Sequence, residues 1–363
     1  MNIILGAGII GLFIGYRLLK KGEKVKIFDA KDLTVAASKA SVGMLAPMIE
    51  AKPKESELLE LMINSKKIWD KKYNNEEFKK IGLKKNSSLL IAENIDDMER
   101  LKFKRKFFDE LGFKSEFLNK KQTEEIEPEL NSNFLGSLFC ENQNQVDPIV
   151  LRKFLISQIN LLGGKIVNIK SIKKIKIKKN FIELDGKKIK ARKIIIACGA
   201  WSGELINRSF NLLFPIRPIK GISMLVDAGR ELFKNNLWFR NIYIAQRENN
   251  ILSIGATEQE RGFDENIRMD EVYYLTKNIW ESFVDLESMK LIDIKCGIRP
   301  GVIDGYPIIG TLDKISEDLI CAFGHYRHGL LLAPITADIV SDYVLEKKID
   351  DKTKFFSPQR FNL

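Results

Sequence analysis

Two arginines near the C-terminus carry the side chains best suited to seizing a small planar anion. Arg299 lies in Gly297-Ile298-Arg299-Pro300-Gly301, and Arg327 in Gly324-His325-Tyr326-Arg327-His328-Gly329. A guanidinium offers paired N–H donors at the spacing of a carboxylate's two oxygens, so either residue suits a carboxylic acid substrate. Pro300 biases Arg299 toward extended backbone. His325 and His328 are the only histidines, and neither has a second ligand at metal spacing, so no metal site is expected. No catalytic triad or carboxylate pair stands out.

A place for a dinucleotide opens the chain. Ile3, Ile4 and Leu5 form an apolar strand running into Gly6-Ala7-Gly8-Ile9-Ile10-Gly11, and a helix follows through Leu12, Ile14, Leu18 and Leu19. Gly6 permits the tight turn, Gly8 lets backbone N–H groups reach a pyrophosphate at the helix N-terminus, and Gly11 lets helix and strand pack closely. A second strand, Lys24 to Phe28, delivers Asp29, whose carboxylate can accept hydrogen bonds from a ribose hydroxyl. This fingerprint grips NAD and FAD alike, and no second one is visible.

Small residues mark two further passages. Ala37-Ser38-Lys39-Ala40-Ser41-Val42-Gly43-Met44 could lie along the same ligand, with Ser38 donating to phosphate, or could simply be a small-residue helix entry. Gly199-Ala200-Trp201-Ser202 makes a turn after the apolar run Ile194 to Ala197, which reads as a central parallel strand.

Helical and strand patterns alternate throughout, so the class is α/β. Residues 55–73 read as an amphipathic helix, Ser88 to Ala92 as a strand, and Asp147-Pro148 as a helix start. Asp185-Gly186 reads as a hairpin turn, and Met224 to Val226, Asn241 to Ala245 and Leu252 to Gly255 as an antiparallel sheet. An apolar helix is expected over Leu330 to Tyr343. The expected division is a nucleotide-binding domain of residues 1–84, 143–214 and 297–363, and a substrate domain of residues 85–142 and 215–296.

The net charge of +11 raises nucleic acid as a partner, but the basic residues are spread among acids. Lys174, Lys176 and Lys178 alternate with Ile175 and Ile177, as on a strand with one wet face. Neither nucleic acid nor membrane is expected as a partner. The opening apolar run lacks a basic leader and is broken by Gly8, Gly11, Gly15 and Arg17. Cys140, Cys198, Cys296 and Cys321 are scattered without redox or metal spacing. A cytoplasmic location is the expectation, and homo-oligomerisation stays open.

The segments Gly6 to Gly11, Gly43 to Pro47, Gln145 to Pro148, Gly199 to Gly203, Arg217 to Gly221, Gly297 to Gly310 and Gly324 to Thr336 resemble the FAD-dependent D-amino-acid oxidase family. The likeness, in order and spacing, is to its glycine-oxidising branch of the thiamine thiazole type, and it spans essentially the whole chain. It implies a Rossmann-like FAD-binding domain with an interleaved α+β substrate domain built on an antiparallel sheet. It also implies non-covalent FAD contacting Ile9, Ile10, Asp29, Ala30, Ala37, Ser38, Val42, Gly43 and Met44, with the Ile172 backbone facing adenine. The flavin would lie over the passage from His325 through Tyr326, Arg327, His328, Gly329 and Leu330 to Leu331, and near Gly199. The N-terminus of the following helix would stabilise the reduced ring.

By the same resemblance Arg327 pairs with the substrate carboxylate, Arg299 assists and Tyr243 hydrogen-bonds to the substrate. The implied reaction is hydride transfer from the α-carbon of glycine or another small amino acid to flavin N5. The imine would hydrolyse to glyoxylate and ammonia or serve thiazole synthesis, and molecular oxygen would become hydrogen peroxide. Two departures bear on the substrate. Asp29 stands where the family commonly has glutamate, and Glu258 occupies a position that is often apolar, with solvent its expected direction. Cys296 reads either as a small buried residue or as a flavin tether of the sarcosine-oxidase kind. A D-amino-acid dehydrogenase and an RNA-modifying flavoprotein are the alternative activities.

Overall fold

The computed structural model describes every residue except 31–35, 74–77, 79–80, 131–132, 179, 283–287 and 363. Two sheets organise it. The first strand, β1 (Asn2–Leu5), is fully buried and lies at the heart of a six-stranded sheet. Its parallel neighbours are β2 (Val25–Ala30) and the strand Ile194–Ile196, flanked in turn by parallel Lys165–Ile169 and Ser316–Phe323. Ile308–Leu312 closes one edge antiparallel. The continuous Ile runs in β1 and Ile194–Ile196 fit strands covered on both faces.

Helix α1 (Ile9–Lys20) packs against the sheet and against the C-terminal helix Gly329–Val344. The helix Ser56–Tyr73 lies beside that C-terminal helix. Pro334 removes one donor inside the C-terminal helix, and the nearby Leu331 carbonyl accepts from Ser65 Oγ at 2.5 Å and Trp69 Nε1 at 3.0 Å. Asp147 caps the helix Pro148–Leu161 by accepting from the N–H groups of Ile149 and Val150.

The second sheet has eight strands. Its long pair, Ile216–Asp227 and Lys290–Val302, runs antiparallel over twelve residues of the first. Ile251–Gly255, Tyr243–Gln246, Asn236–Trp238, Ser88–Ala92, Gly136–Cys140 and Ser115–Asn119 follow in order. Segments 85–142 and 215–296 therefore supply this sheet, with one difference from the expected boundary. The strand Lys290–Val302 crosses residue 297 without a break, because its pairing with Ile216–Asp227 continues to Val302. Gly297, the expected boundary, and Gly301 both sit inside a ladder.

Candidate active site

The carboxyl ends of three adjacent parallel strands converge on one cavity. Gly6 to Ile10 after β1, Ala197 to Gly199 after Ile194–Ile196, and Phe323 with His325 to Arg327 at the end of Ser316–Phe323 line a space of about 450 Å³. This is where open parallel sheets bind ligands, since the loops leaving neighbouring strands diverge there.

The three fingerprint glycines do different work. Gly6 has a φ of +106°, and a Cβ there would lie 2.3 Å from the Ala197 carbonyl oxygen. A Cβ on Gly11 would lie 2.0 Å from the Gly6 carbonyl oxygen, so Gly11 serves strand-to-helix packing and does not line the cavity. At Gly8 a Cβ would meet nothing closer than Ser38 Oγ at 3.8 Å, although Gly8 lines the cavity. The protein itself does not require glycine there; a group in the cavity would.

Helix α1 begins without a side-chain cap and without an acid in its first turn, leaving its N–H groups available to an anion. The C-terminal helix Gly329–Val344 starts in the same uncapped way at the other side of the cavity. These features fit a dinucleotide pyrophosphate and the electron-rich edge of a flavin.

Asp29, near the end of β2, is half-buried. Burial pushes its carboxyl pKa up, while the N–H groups of Ala7 and Ala30 and the charges of Arg152 and Lys39 pull it back. Arg152 and Lys39 also line the cavity, and no motif marked Arg152 for a part in it. Ala30, Ala37, Ser38 and Ile172 line it too. Ala37 and Ala40 press against the second sheet at Gly297, where a Cβ would come within 2.8 Å of the Ala40 Cβ.

The other end is built from the second sheet. A Cβ on Gly221 would lie 2.3 Å from Arg299 Nη1 and 2.5 Å from the Thr257 carbonyl oxygen, so glycine leaves the slot in which the guanidinium rests. Arg299 Nη1 donates to Thr257 O at 3.0 Å. Tyr243 lines the same space, its phenol pKa pushed up by burial first of all, with Arg299 acting the other way. The Tyr326 N–H donates to Pro300 O at 3.0 Å, tying the loop before the C-terminal helix to the strand carrying Arg299.

Arg327 lines the cavity but is already engaged: its Nε lies 2.7 Å from Glu50 Oε2, at the end of the short helix Pro47–Glu50. Burial works to raise the Glu50 pKa, yet Arg327, His328, Lys104 and Lys52 together hold it below the usual range. No sequence pattern singled out Glu50. Glu258 is exposed, as expected, but also accepts a hydrogen bond from the Tyr326 phenol, whose pKa burial first and Glu258 second push up. His325 and His328 are buried and held neutral, with pKa values lowered to about 3 and about 4 by loss of solvent. His325 Nε2 shares a hydrogen bond with Thr336 Oγ1 at 2.9 Å.

The structure therefore gathers Gly6, Gly8, Ile9, Ile10, Asp29, Ala30, Ala37, Ser38, Ile172, Gly199, Tyr243, Arg299, His325, Tyr326, Arg327, Gly329 and Leu330 around one space. Val42, Gly43, Met44, His328 and Leu331, like Gly11, stand outside its lining. A Cβ on Gly255 would touch Val42 at 2.7 Å and Tyr243 at 3.3 Å, so Val42 packs against the strand Ile251–Gly255, whose Gly255 pairs with Tyr243. Gly43, at a φ of +102°, and Met44 join the strand Asn144–Gln145, a Cβ on Gly43 lying 2.0 Å from Val146 O. Cys296 lies in the apolar core of the second sheet and not on the cavity.

The chain is similar over most of its length to several characterised proteins. It is 29% identical over 354 residues to a glycine oxidase of Geobacillus kaustophilus, covering 95% of this chain and 93% of that one. A bifunctional protein ThiO/ThiG of Trichormus variabilis is 26% identical, over 99% of this chain and 55% of that longer one. The crystal structure of glycine oxidase from Geobacillus kaustophilus superposes with a TM-score of 0.90 at 27% identity, covering 98% of this chain and 97% of that chain. Residues 2–343 match the family model described as DAO, FAD dependent oxidoreductase. With the uncapped helix starts, the open cradle at Gly8 and that match in agreement, the chain belongs to the DAO family of FAD-dependent oxidoreductases.

Proposed function

We propose that this chain oxidises a small amino acid, glycine first among them, with FAD bound non-covalently along the fingerprint. The observation that carries the reading is the meeting of two chemistries in one cavity: the anion-seeking Gly6 to Ile10 turn, and Arg299 with Tyr243. When bound, FAD supplies the two-electron acceptor for the substrate's α C–H bond.

The chain's own residues bind and orient. Arg299 takes the substrate carboxylate and Tyr243 adds a hydrogen bond, fixing the α-carbon relative to the cofactor. Arg327, which the resemblance paired with that carboxylate, is committed to Glu50 2.7 Å away, so Arg299 bears the larger share. The uncapped start of Gly329–Val344 offers positive potential where the reduced ring carries charge. The buried, neutral His325 and His328 support the loop without adding charge to the site.

The product imine would hydrolyse to glyoxylate and ammonia or enter thiazole synthesis for thiamine, with oxygen as the electron acceptor and the cytoplasm as the setting. Among the described residues no helix is long and apolar enough to cross a membrane. An anaerobic flavin-reduction screen over glycine, sarcosine and small D-amino acids, followed by peroxide yield per turnover, tests the reading. Bleaching by glycine with one peroxide per turnover is the expected result. Fast dye reduction with little peroxide favours a dehydrogenase, and no bleaching by any amine sinks the proposal.

A further inference from the structure

Glu50 and Arg327 form an ion pair at the wall of the cavity, with side-chain exposures of 14% and 31%. Nothing in the fold of the first sheet needs this pair: Glu50 ends a four-residue helix, and Arg327 sits on a loop that the Tyr326 to Pro300 backbone bond already holds. What the pair changes is the charge of the site. Among the described residues Arg299 donates to backbone carbonyl oxygen and pairs with no carboxylate, whereas Arg327 on the same cavity is matched by a carboxylate of the protein.

Glu50 is also held as an anion from several sides. Arg327 contributes most, and Lys104, whose Nζ donates to the Ile49 carbonyl at 2.5 Å, adds its charge together with Lys52, while the neutral His328 ring packs close by with Nδ1 4.0 Å away. Arg327 therefore meets a fixed negative partner rather than a labile one.

We infer that Glu50 is a specificity-determining residue that occupies Arg327 and so restricts the site to amino acids bearing a single carboxylate. The inference rests on the amino-acid oxidation reading above. A substrate with one carboxylate is served by Arg299 and Tyr243. A second carboxylate directed at Arg327 would have to displace Glu50, leaving that carboxylate in a confined space without its principal counter-charge, and this disfavours dicarboxylates. Removing the charge at Glu50 turns Arg327 into a vacant second anion site. Glu50 acts here through Arg327 and is a positioning residue, not a catalytic one.

The test uses the FAD-loaded enzyme and reads ligand binding as perturbation of the flavin spectrum, with acetate, malonate and succinate as non-reacting probes. Turnover of D-alanine against D-aspartate is measured alongside. In the wild type, both dicarboxylates are expected to bind no more tightly than acetate. In Glu50→Gln, the affinity of malonate or succinate relative to acetate rises by on the order of ten- to a hundredfold, the value of a charge-assisted pair gained. The D-aspartate to D-alanine ratio rises in parallel. The double variant Glu50→Gln/Arg327→Gln loses the gain, which a purely structural role for Glu50 would not produce.

A dicarboxylate preference already present in the wild type overturns the inference whether or not the variants fold. So does a Glu50→Gln discrimination within about twofold of wild type, well short of one charged hydrogen bond, or a gain that survives the double variant. If acetate leaves the wild-type flavin spectrum unchanged and no amino acid reduces it, the underlying amino-acid reading fails. If the monocarboxylates act as expected and only the discrimination is unmoved, Glu50's role alone falls.

Discussion

Gly8→Ala separates the protein's own needs from those of its cofactor. The new Cβ would meet only Ser38 Oγ, at 3.8 Å, and Gly8 already holds a φ of −69° and ψ of 176°, which alanine adopts without strain. The apoprotein should therefore be no less stable, and about 0.4–1 kcal/mol more stable through the unfolded chain. FAD binding should suffer, because the methyl group stands where the pyrophosphate must approach the start of α1. Saturation at a hundred times Kd stabilises the wild type by about 2.7 kcal/mol. With about 2.1 cal/mol/K of unfolding entropy per residue and 363 residues, that amounts to a Tm rise of about 3.5 °C. Overpacking of about 2–3 kcal/mol weakens Kd near a hundredfold and leaves roughly 0.4 kcal/mol, about 0.5 °C, at the same FAD concentration. Thermal melts of each protein with and without FAD measure all four values. An apo Gly8→Ala melting several degrees below the wild type would refute the open-cradle argument. An undiminished FAD shift would refute the path of the pyrophosphate past Gly8.

Gly11→Ala should behave in the opposite way, since its Cβ would lie 2.0 Å from the Gly6 carbonyl oxygen; loss of apoprotein stability by more than about 2 kcal/mol in a urea melt is expected. Arg299→Ala should keep its flavin and lose kcat/KM for glycine by about 2–4 kcal/mol, roughly thirty- to a thousandfold, measured by anaerobic reduction. Acid precipitation should leave the yellow colour in the supernatant, because Cys296 packs in the core of the second sheet rather than on the cavity; a yellow pellet would revive the tethered reading. His325 and His328 have folded pKa values of about 3 and about 4, below the ordinary 6.5. The unfolded chain thus binds more protons in that window, so their contribution is complete above about pH 6.5 and fades as pH falls toward 4. The unfolding free energy from urea melts should drop between pH 6.5 and 4.5 by up to about 1.4 kcal/mol per pH unit for each histidine, and a flat profile would contradict their burial as neutral rings.

The strand, glycine turn, helix and acid of residues 2–29 were legible because every determinant is local: apolar runs for buried parallel strands, and glycines where backbone meets backbone. The hairpin at Asp185-Gly186 was legible for the same reason, both residues taking positive φ. Glycine misled at residue 297. The domain crossing was expected at Gly297, yet glycine is needed at 297 and 301 because Ala37 and Ala40 press on one and the Arg217 carbonyl approaches a Cβ position on the other to 3.1 Å. Close approach within a ladder and a turn between ladders ask for the same residue, and sequence alone does not distinguish them. The placement of Ser88–Ala92 beside Asn236–Trp238 was likewise hidden, since parallel pairing between distant segments leaves no local mark.

The division of labour between the two arginines follows the same logic and decides the chemistry of the site. Arg299 and Arg327 look equivalent as residue types, each set among glycine and proline or histidine. What separates them is a partner: Glu50 beside one, backbone carbonyl oxygen beside the other. A guanidinium bonded to neutral carbonyls keeps its charge uncompensated and attracts an anionic substrate, whereas one beside a carboxylate presents little net field. A cavity holding two unmatched guanidinium groups would attract a dianion. On the proposed reading, matching one of them within the fold leaves Arg299 as the unmatched guanidinium at this end of the cavity, and a small amino acid with a single carboxylate meets that condition. On that proposal the substrate class depends on a side chain that no motif marks, and the ion pair becomes visible only when the helix Pro47–Glu50 is brought against the loop before the C-terminal helix.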